Sequence, residues 1–251
     1  MNIKFKDHFS NHAADYSQYR PTYPLELFEY LASISLNQDK AWDCATGNGQ
    51  SAILLANHFS EVIASDASQQ QLDNATQAKG VTYRLAKAED SGIESNSIDL
   101  ITVAQAFHWF DQSAFIKEVD RVLKKQGILA IWTYNLTKIQ DNIDSISDNL
   151  CNKTLDEYWS FDRSKVIDGY KSIELPFDIV DVPDFEMETQ WNFSQFIGYL
   201  CTWSALKKYE QLNGINPIEK IHDQILEAWG DPEEYLTVKW PLSLRVWQKP
   251  K

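Results

Sequence analysis

Short apolar strands alternating with helices of ten or more residues, between positions 41 and 133, predict a doubly wound α/β fold on a mostly parallel sheet with right-handed crossovers. A second observation narrows this. The stretch Ala45-Thr46-Gly47-Asn48-Gly49 closes the first strand with a glycine-containing turn and opens a helix, and Asp66 ends the next strand. Both lie at the carboxyl edge of the predicted sheet, where open α/β sheets bind nucleoside-type ligands. With 251 residues and 43% hydrophobic content, the chain has one main core plus a small appended portion.

Residues 1–24 read as a polar, aromatic arm. It ends in Arg20-Pro21-Thr22-Tyr23-Pro24, whose prolines hold the backbone extended ahead of a helix over Leu25–Ile34. A strand over Ala41–Ala45, a helix over Gln50–Phe59 and a strand over Glu61–Ser65 follow. Next come a helix over Ser68–Lys79 that Ser68 can cap, and strands at Val81–Ala86 and Ile98–Ala104. A helix over Asp111–Lys124 and a strand over Gly127–Thr133 complete the series. The alternation stops after Tyr134. Polar residues predominate to about Asn152, and beyond them the pattern predicts strands at Phe185–Trp191 and Leu242–Gln248 and helices over Ser194–Leu206 and Pro217–Trp229. The expected organisation is an arm or lid (1–24), a cofactor-binding α/β core (25–135) and a substrate-pocket cap that also supplies the last strands (136–251).

Composition narrows the partners. A net charge of −13, from 23 basic and 36 acidic residues with no basic run, repels nucleic acid and anionic membranes. Cys44, Cys151 and Cys201 are odd in number and widely spaced, which predicts neither a disulfide framework nor a metal site. No apolar stretch reaches the ~18 residues that span a bilayer, and no export signal is read at Met1–Ser10, so a cytoplasmic protein, monomer or homodimer, is expected. Six of nine tryptophans follow residue 155, marking the cap as aromatic.

The glycine turn alone leaves the cofactor open. Gly47-Asn48-Gly49-Gln50-Ser51-Ala52 also satisfies the dinucleotide pattern, and Asp66 lies 17 positions past Gly49, in the ribose-binding place. A nucleotide-dependent oxidoreductase is therefore one reading, and a non-catalytic cofactor-binding module is another. Asp43 separates the cofactors. Its carboxylate repels a pyrophosphate but attracts the cationic amino group of a methionine moiety, which favours S-adenosyl-L-methionine, with S-adenosyl-L-homocysteine as product. Asp66, with Ala67 beside it, can accept both ribose hydroxyls.

Asp43-Cys44-Ala45-Thr46-Gly47-Asn48-Gly49 resembles the first motif of the class I methyltransferases, Asp-x-Gly-x-Gly-x-Gly, with Ala45 replacing the first glycine. Asp66, the turn Ala88-Glu89-Asp90 and Asp99-Leu100-Ile101 resemble the later motifs. The segments Tyr16 to Pro24, Gln105 to Asp111 and Thr202 to Ala205 resemble the branch of type 11 methyltransferases that includes trans-aconitate methyltransferase-like proteins. The resemblance implies a Rossmann-like sheet of seven strands with a helical cap, Ala88 and Glu89 near the adenine, and a small-molecule acceptor, with carboxylic acids as the class to consider first.

Physical roles follow for the remaining candidates. Gln105 and Ala106 follow the fourth strand and can offer backbone contacts to the cofactor. His108 can orient or deprotonate the acceptor, or simply pack the junction with Trp109, which reads as pocket wall. Tyr16 and Arg20, four apart, share a face if the arm is helical, and Arg20 can grip a carboxylate. Trp203 and Ser204 are candidates for the substrate side. A carboxylate acceptor needs no base at neutral pH; a hydroxyl, amine or acidic carbon does, and His108 is then the candidate.

Overall fold

The computed structural model describes residues 21–160 and 163–251. The arm before Pro21 lies outside the described residues. After Pro24, α1 (Leu25–Ile34) buries Leu27, Phe28, Leu31 and Ala32 along one stripe. The chain then alternates through β1 (Lys40–Cys44), α2 (Gln50–Leu55), β2 (Glu61–Asp66), α3 (Gln69–Asp73), β3 (Val81–Leu85), β4 (Ile98–Ala104), α4 (Gln112–Val122) and β5 (Leu123–Tyr134). Beyond lie α5 (Asp141–Asn149), α6 (Ser164–Ile167), β6 (Asp178–Val180), β7 (Phe185–Trp191), α7 (Phe193–Cys201), α8 (Ser204–Asn213), α9 (His222–Trp229) and β8 (Leu236–Gln248).

The sheet runs β3-β2-β1-β4-β5-β8-β6, and β7 also pairs β8. The first five strands are parallel, whereas β8 returns antiparallel against β5. Winding proceeds outward from β1 to β3 on one side and from β4 to β5 on the other. The switch point therefore falls between β1 and β4, the crevice where such sheets take ligands. Both strands are buried over nearly their whole length, as expected of parallel strands covered on both faces.

β6 and β7 are two pieces of one strand laid along β8. Asp178 pairs Gln248 and Val180 pairs Val246, but Phe185 pairs Leu242, so the register slips by one residue across Asp181 to Asp184. Pro183 lies in that gap, where its missing N–H breaks a ladder. This division makes eight strands of the expected seven.

Each face of the sheet carries its own core. One joins α1 to the cap through Trp132, Tyr134, Phe196, Tyr199, Trp229 and Trp240. The other packs α4 under Trp42, Ile101, Val103, Phe107, Phe115 and Trp247. The tryptophan-rich half of the chain is chiefly core.

Several expected elements end differently. The helix from Ser68 stops at Asp73 because Thr76 turns away: its N–H donates to Asn48 and its carbonyl accepts from the Tyr83 hydroxyl. The helix expected over Ser194–Leu206 breaks into α7 and α8 at Thr202, whose hydroxyl back-bonds to Tyr199, and Trp203, whose backbone is extended. The segment expected as one helix over Pro217–Trp229 opens with a 3-10 turn at Pro217–Lys220 before α9. Within the polar stretch after Tyr134 lies α5, which the apolar periodicity did not mark because two of its three inward residues are Asp144 and Ser147.

Candidate active site

At the carboxyl end of β1 the backbone turns through left-handed conformations at Ala45 (φ 56°), Gly47 (φ 58°) and Gly49 (φ 87°). The alanine in place of the usual glycine holds a conformation that costs a side-chain-bearing residue about 1–2 kcal/mol. Asp66 ties this turn to the next one: its carboxylate accepts the Gly47 N–H and the Ser68 N–H, each at 2.9 Å. Ala67 sits between those contacts. Each Asp66 oxygen has further lone-pair capacity, so a ribose diol can be accepted at this edge.

Asp43 is almost fully buried at the switch point. The Thr46 hydroxyl donates to one carboxylate oxygen at 2.5 Å and the Thr102 hydroxyl, from β4, to the other at 2.7 Å. Loss of hydration outweighs both bonds, and with the nearby Asp66 charge it pushes the carboxyl up to about 6. A cation brought to this edge would relieve that cost. The donor set fits the expected cofactor in chemical terms: a diol acceptor at Asp66, an anion at Asp43 and a tight backbone turn between them.

The turn after β3 places Ala88 in the core beneath α4, while Glu89 accepts the Asp111 N–H at 2.9 Å at the start of that helix. Glu89 thus ties the turn after β3 to the segment that carries His108.

After β4, Gln105 also adopts a left-handed backbone (φ 53°), and Ala106 leads into a short 3-10 turn, Phe107–Trp109. His108 Nδ1 lies 2.7 Å from the Tyr170 hydroxyl, and its ring sits 5.1 Å from that of Trp109. Burial, helped by the Lys165 charge, lowers the imidazole to about 4, so it is neutral at pH 7. Tyr170 has a left-handed backbone (φ 59°) and is fully buried, and burial raises its phenol.

Trp203 packs among Trp159 and Tyr199 in the cap core, with Ser204 beginning α8. Tyr16 and Arg20 lie outside the described residues. Residues that the motifs did not mark include Thr46, Thr102, Tyr83, Thr133, Tyr170 and Arg163. The guanidinium of Arg163 donates to Asn135 and Asn152 and lies 4.7 Å from the Trp159 ring centre. Asn135 directly follows β5, whose last residue, Tyr134, holds the Gln105 side chain. Arg163 therefore flanks the same sheet edge as His108.

A methyltransferase-domain family pattern matches residues 42–131. A protein of Dictyostelium discoideum assigned as a methyltransferase is 34% identical over 254 residues, covering 98% of this chain and 96% of that one. A solved type II methyltransferase from Anaeromyxobacter dehalogenans superposes with a TM-score of 0.87 at 36% identity, covering 92% of this chain and 99% of that one. A methyltransferase structure from Bacillus halodurans, 18% identical with a TM-score of 0.54 and covering 90% and 99%, shares the fold. The chain belongs to the class I S-adenosylmethionine-dependent methyltransferases. The oxidoreductase reading of the glycine pattern gives way to this assignment. No helix among the described residues is long and apolar enough to cross a membrane.

Proposed function

We propose that this protein methylates a small anionic molecule, residues 25–135 holding the cofactor and residues 136–251 shaping the acceptor side. When bound, S-adenosyl-L-methionine supplies a methyl group on a sulfonium, so the chain's task is chiefly alignment in a site closed to water. In this reading Asp66 holds the ribose, Asp43 favours the cationic methionine end, and Ala88 and Glu89 flank the adenine. The backbone of Gln105 and Ala106 lies beside the reacting methyl, and His108 faces the acceptor.

The observation that carries an anionic acceptor is Arg163. In a protein of net charge −13, a guanidinium at the sheet's ligand edge is held by two side chains that are both neutral amides, and Lys165 adds a second positive charge beside His108. A carboxylate on the acceptor would complete that arrangement with a paired, charge-assisted contact.

The test begins with calorimetric titration of S-adenosyl-L-methionine and S-adenosyl-L-homocysteine, then a screen of small carboxylic acids read by S-adenosyl-L-homocysteine release. Arg163→Gln is expected to raise KM for the acid about tenfold or more and to leave cofactor affinity unchanged. Equal turnover of an acid and its neutral amide would overturn the anionic reading.

A further inference from the structure

A single short segment of the cap, residues 163–170, reaches the sheet edge at both its ends. Backbone hydrogen bonds run through it without a break: the Ile167 N–H donates to the Arg163 carbonyl, Asp168 to Ser164, Gly169 to Val166 and Tyr170 to Lys165, at 2.8–3.1 Å. The last two bonds form a Schellman closure of α6, which calls for one left-handed residue and finds it in Gly169 (φ 65°). Tyr170 is left-handed as well (φ 59°), a conformation that an aromatic residue holds only where its surroundings over-determine it. Those surroundings are close. A β-carbon on Gly169 would lie 2.5 Å from the Ser243 hydroxyl oxygen, so the corner is seated directly on β8, and the Tyr170 ring packs edge-on to Phe107 with centres 5.7 Å apart.

The strained corner delivers one hydroxyl. Tyr170 is fully buried and its oxygen lies 2.7 Å from His108 Nδ1, with the two rings 27° from parallel. A phenol can donate or accept, so this contact persists whichever ring nitrogen carries the proton, and also when both do. A carboxylate in the same place would hold the ring equally well but would favour the imidazolium. The phenol fixes geometry without adding charge, in keeping with a ring that burial and Lys165 leave neutral at pH 7.

We infer that Tyr170 is a positioning residue for methyl transfer: its hydroxyl, brought in by the Gly169–Tyr170 corner, sets the His108 ring towards the acceptor. The inference rests on the reading that His108 faces the acceptor, and adds a group that holds it there. It also accounts for a cap residue bonding a ring 62 positions earlier in the chain. Arg163 opens the same hydrogen-bonded segment that Tyr170 closes, so the grip on an acid group and the hold on the imidazole are fixed relative to one another, and an acceptor seated at one meets the other in register.

The test is a double-mutant cycle of Tyr170→Phe and His108→Gln in the full chain. Tyr170→Phe keeps the ring against Phe107 and removes only the hydroxyl. The probe is whichever of a panel of small carboxylic acids and their neutral amides is methylated fastest, read by S-adenosyl-L-homocysteine release. In the wild-type background Tyr170→Phe is expected to lower kcat about 10–100-fold, with the acceptor KM and the affinity for S-adenosyl-L-homocysteine little changed. In the His108→Gln background it is expected to lower kcat no further, because a residue that acts through the imidazole has nothing left to hold. NMR of histidine-labelled protein reads the same contact with no acceptor present: the His108 ring signals, assigned among the five histidines by difference with His108→Gln, should move in Tyr170→Phe while the others stay. An equal loss of kcat in both backgrounds, or unmoved His108 signals, would overturn the inference. Full turnover by His108→Gln sinks the placement of His108 at the acceptor and the inference with it, whereas a loss in His108→Gln beside full turnover in Tyr170→Phe sinks the inference alone.

Discussion

The Tyr83 hydroxyl stands 2.2 Å from where a β-carbon on Gly49 would lie. From β3, Tyr83 reaches across the first turn and is anchored by its 2.6 Å bond to the Thr76 carbonyl. Gly49→Ala meets both that ring and a left-handed backbone, and is expected to destabilise the fold by about 2–4 kcal/mol. Tyr83→Phe removes the nearest obstructing atom. The double substitution should then cost less than the sum of the single ones, as urea unfolding of all three variants would show.

Asp43 sets stability against binding. Its folded-state carboxyl at about 6 lies above the unfolded value of 3.8, so folding favours the protonated form. That contribution is fully present below pH 3.8 and is lost as pH rises through 6, leaving an ionised buried carboxylate that costs about 3 kcal/mol at pH 8. Asp43→Asn is expected to stabilise the cofactor-free protein at pH 8 by up to that amount, with no gain near pH 4. The same variant should bind S-adenosyl-L-methionine about tenfold or more weakly by calorimetry. In the wild type, affinity for the cationic cofactor should decline as pH falls below 6.

Ala45 gives the opposite kind of test. At φ 56° glycine relieves strain that alanine carries, so Ala45→Gly is expected to stabilise by about 0.5–1 kcal/mol, a rise in Tm of about 1–4 °C. Ala45→Val, branched at Cβ, should destabilise instead. Calorimetric melting of the two variants reads both signs.

Glu118 marks an acid-sensitive joint beside the turn that carries Ala88 and Glu89. Arg121 holds both its oxygens, at 2.8 and 2.7 Å, and Ser91 donates from its backbone and its hydroxyl, which together lower the carboxyl to about 2. A depressed carboxyl stabilises the fold above its unfolded value near 4.5, and that gain fades as pH falls towards 2. Glu118→Gln is expected to cost about 2–3 kcal/mol at pH 7 and little near pH 2, measured by unfolding at both pH values.

The sheet was legible in the sequence because its central strands are buried on both faces and read as mostly apolar runs, as in Ile98–Ala104, where only Asp99 and Thr102 are polar. The Gly47 and Gly49 turn was legible because left-handed backbone leaves a mark in residue type. The partners were not. Thr102 lies 59 positions from Asp43, and Tyr170 lies 62 from His108; topology brings them together, and no local spacing announces either pair. The cap was hardest to read because its helices turn polar groups inward: Asp144 is buried, and accepts the Ile139 N–H. Its aromatic content marked a core without showing where α7 gives way to α8.

The break between β6 and β7 bears on how the molecule behaves in a crowded solution. A strand as long as β8, 13 residues, would offer a second chain a continuous row of backbone donors and acceptors if its outer side were bare. The two shorter pieces cover that row, and they are themselves poor templates: Pro183 removes a donor, Asp181 and Asp184 bracket the kink with charge, and the one-residue slip throws the outer side out of step. The same irregularity that departs from an ideal seven-stranded sheet thus guards its margin against pairing with a neighbour, and replacing Pro183 with a strand-forming residue would be expected to trade that protection for a straighter, stickier rim.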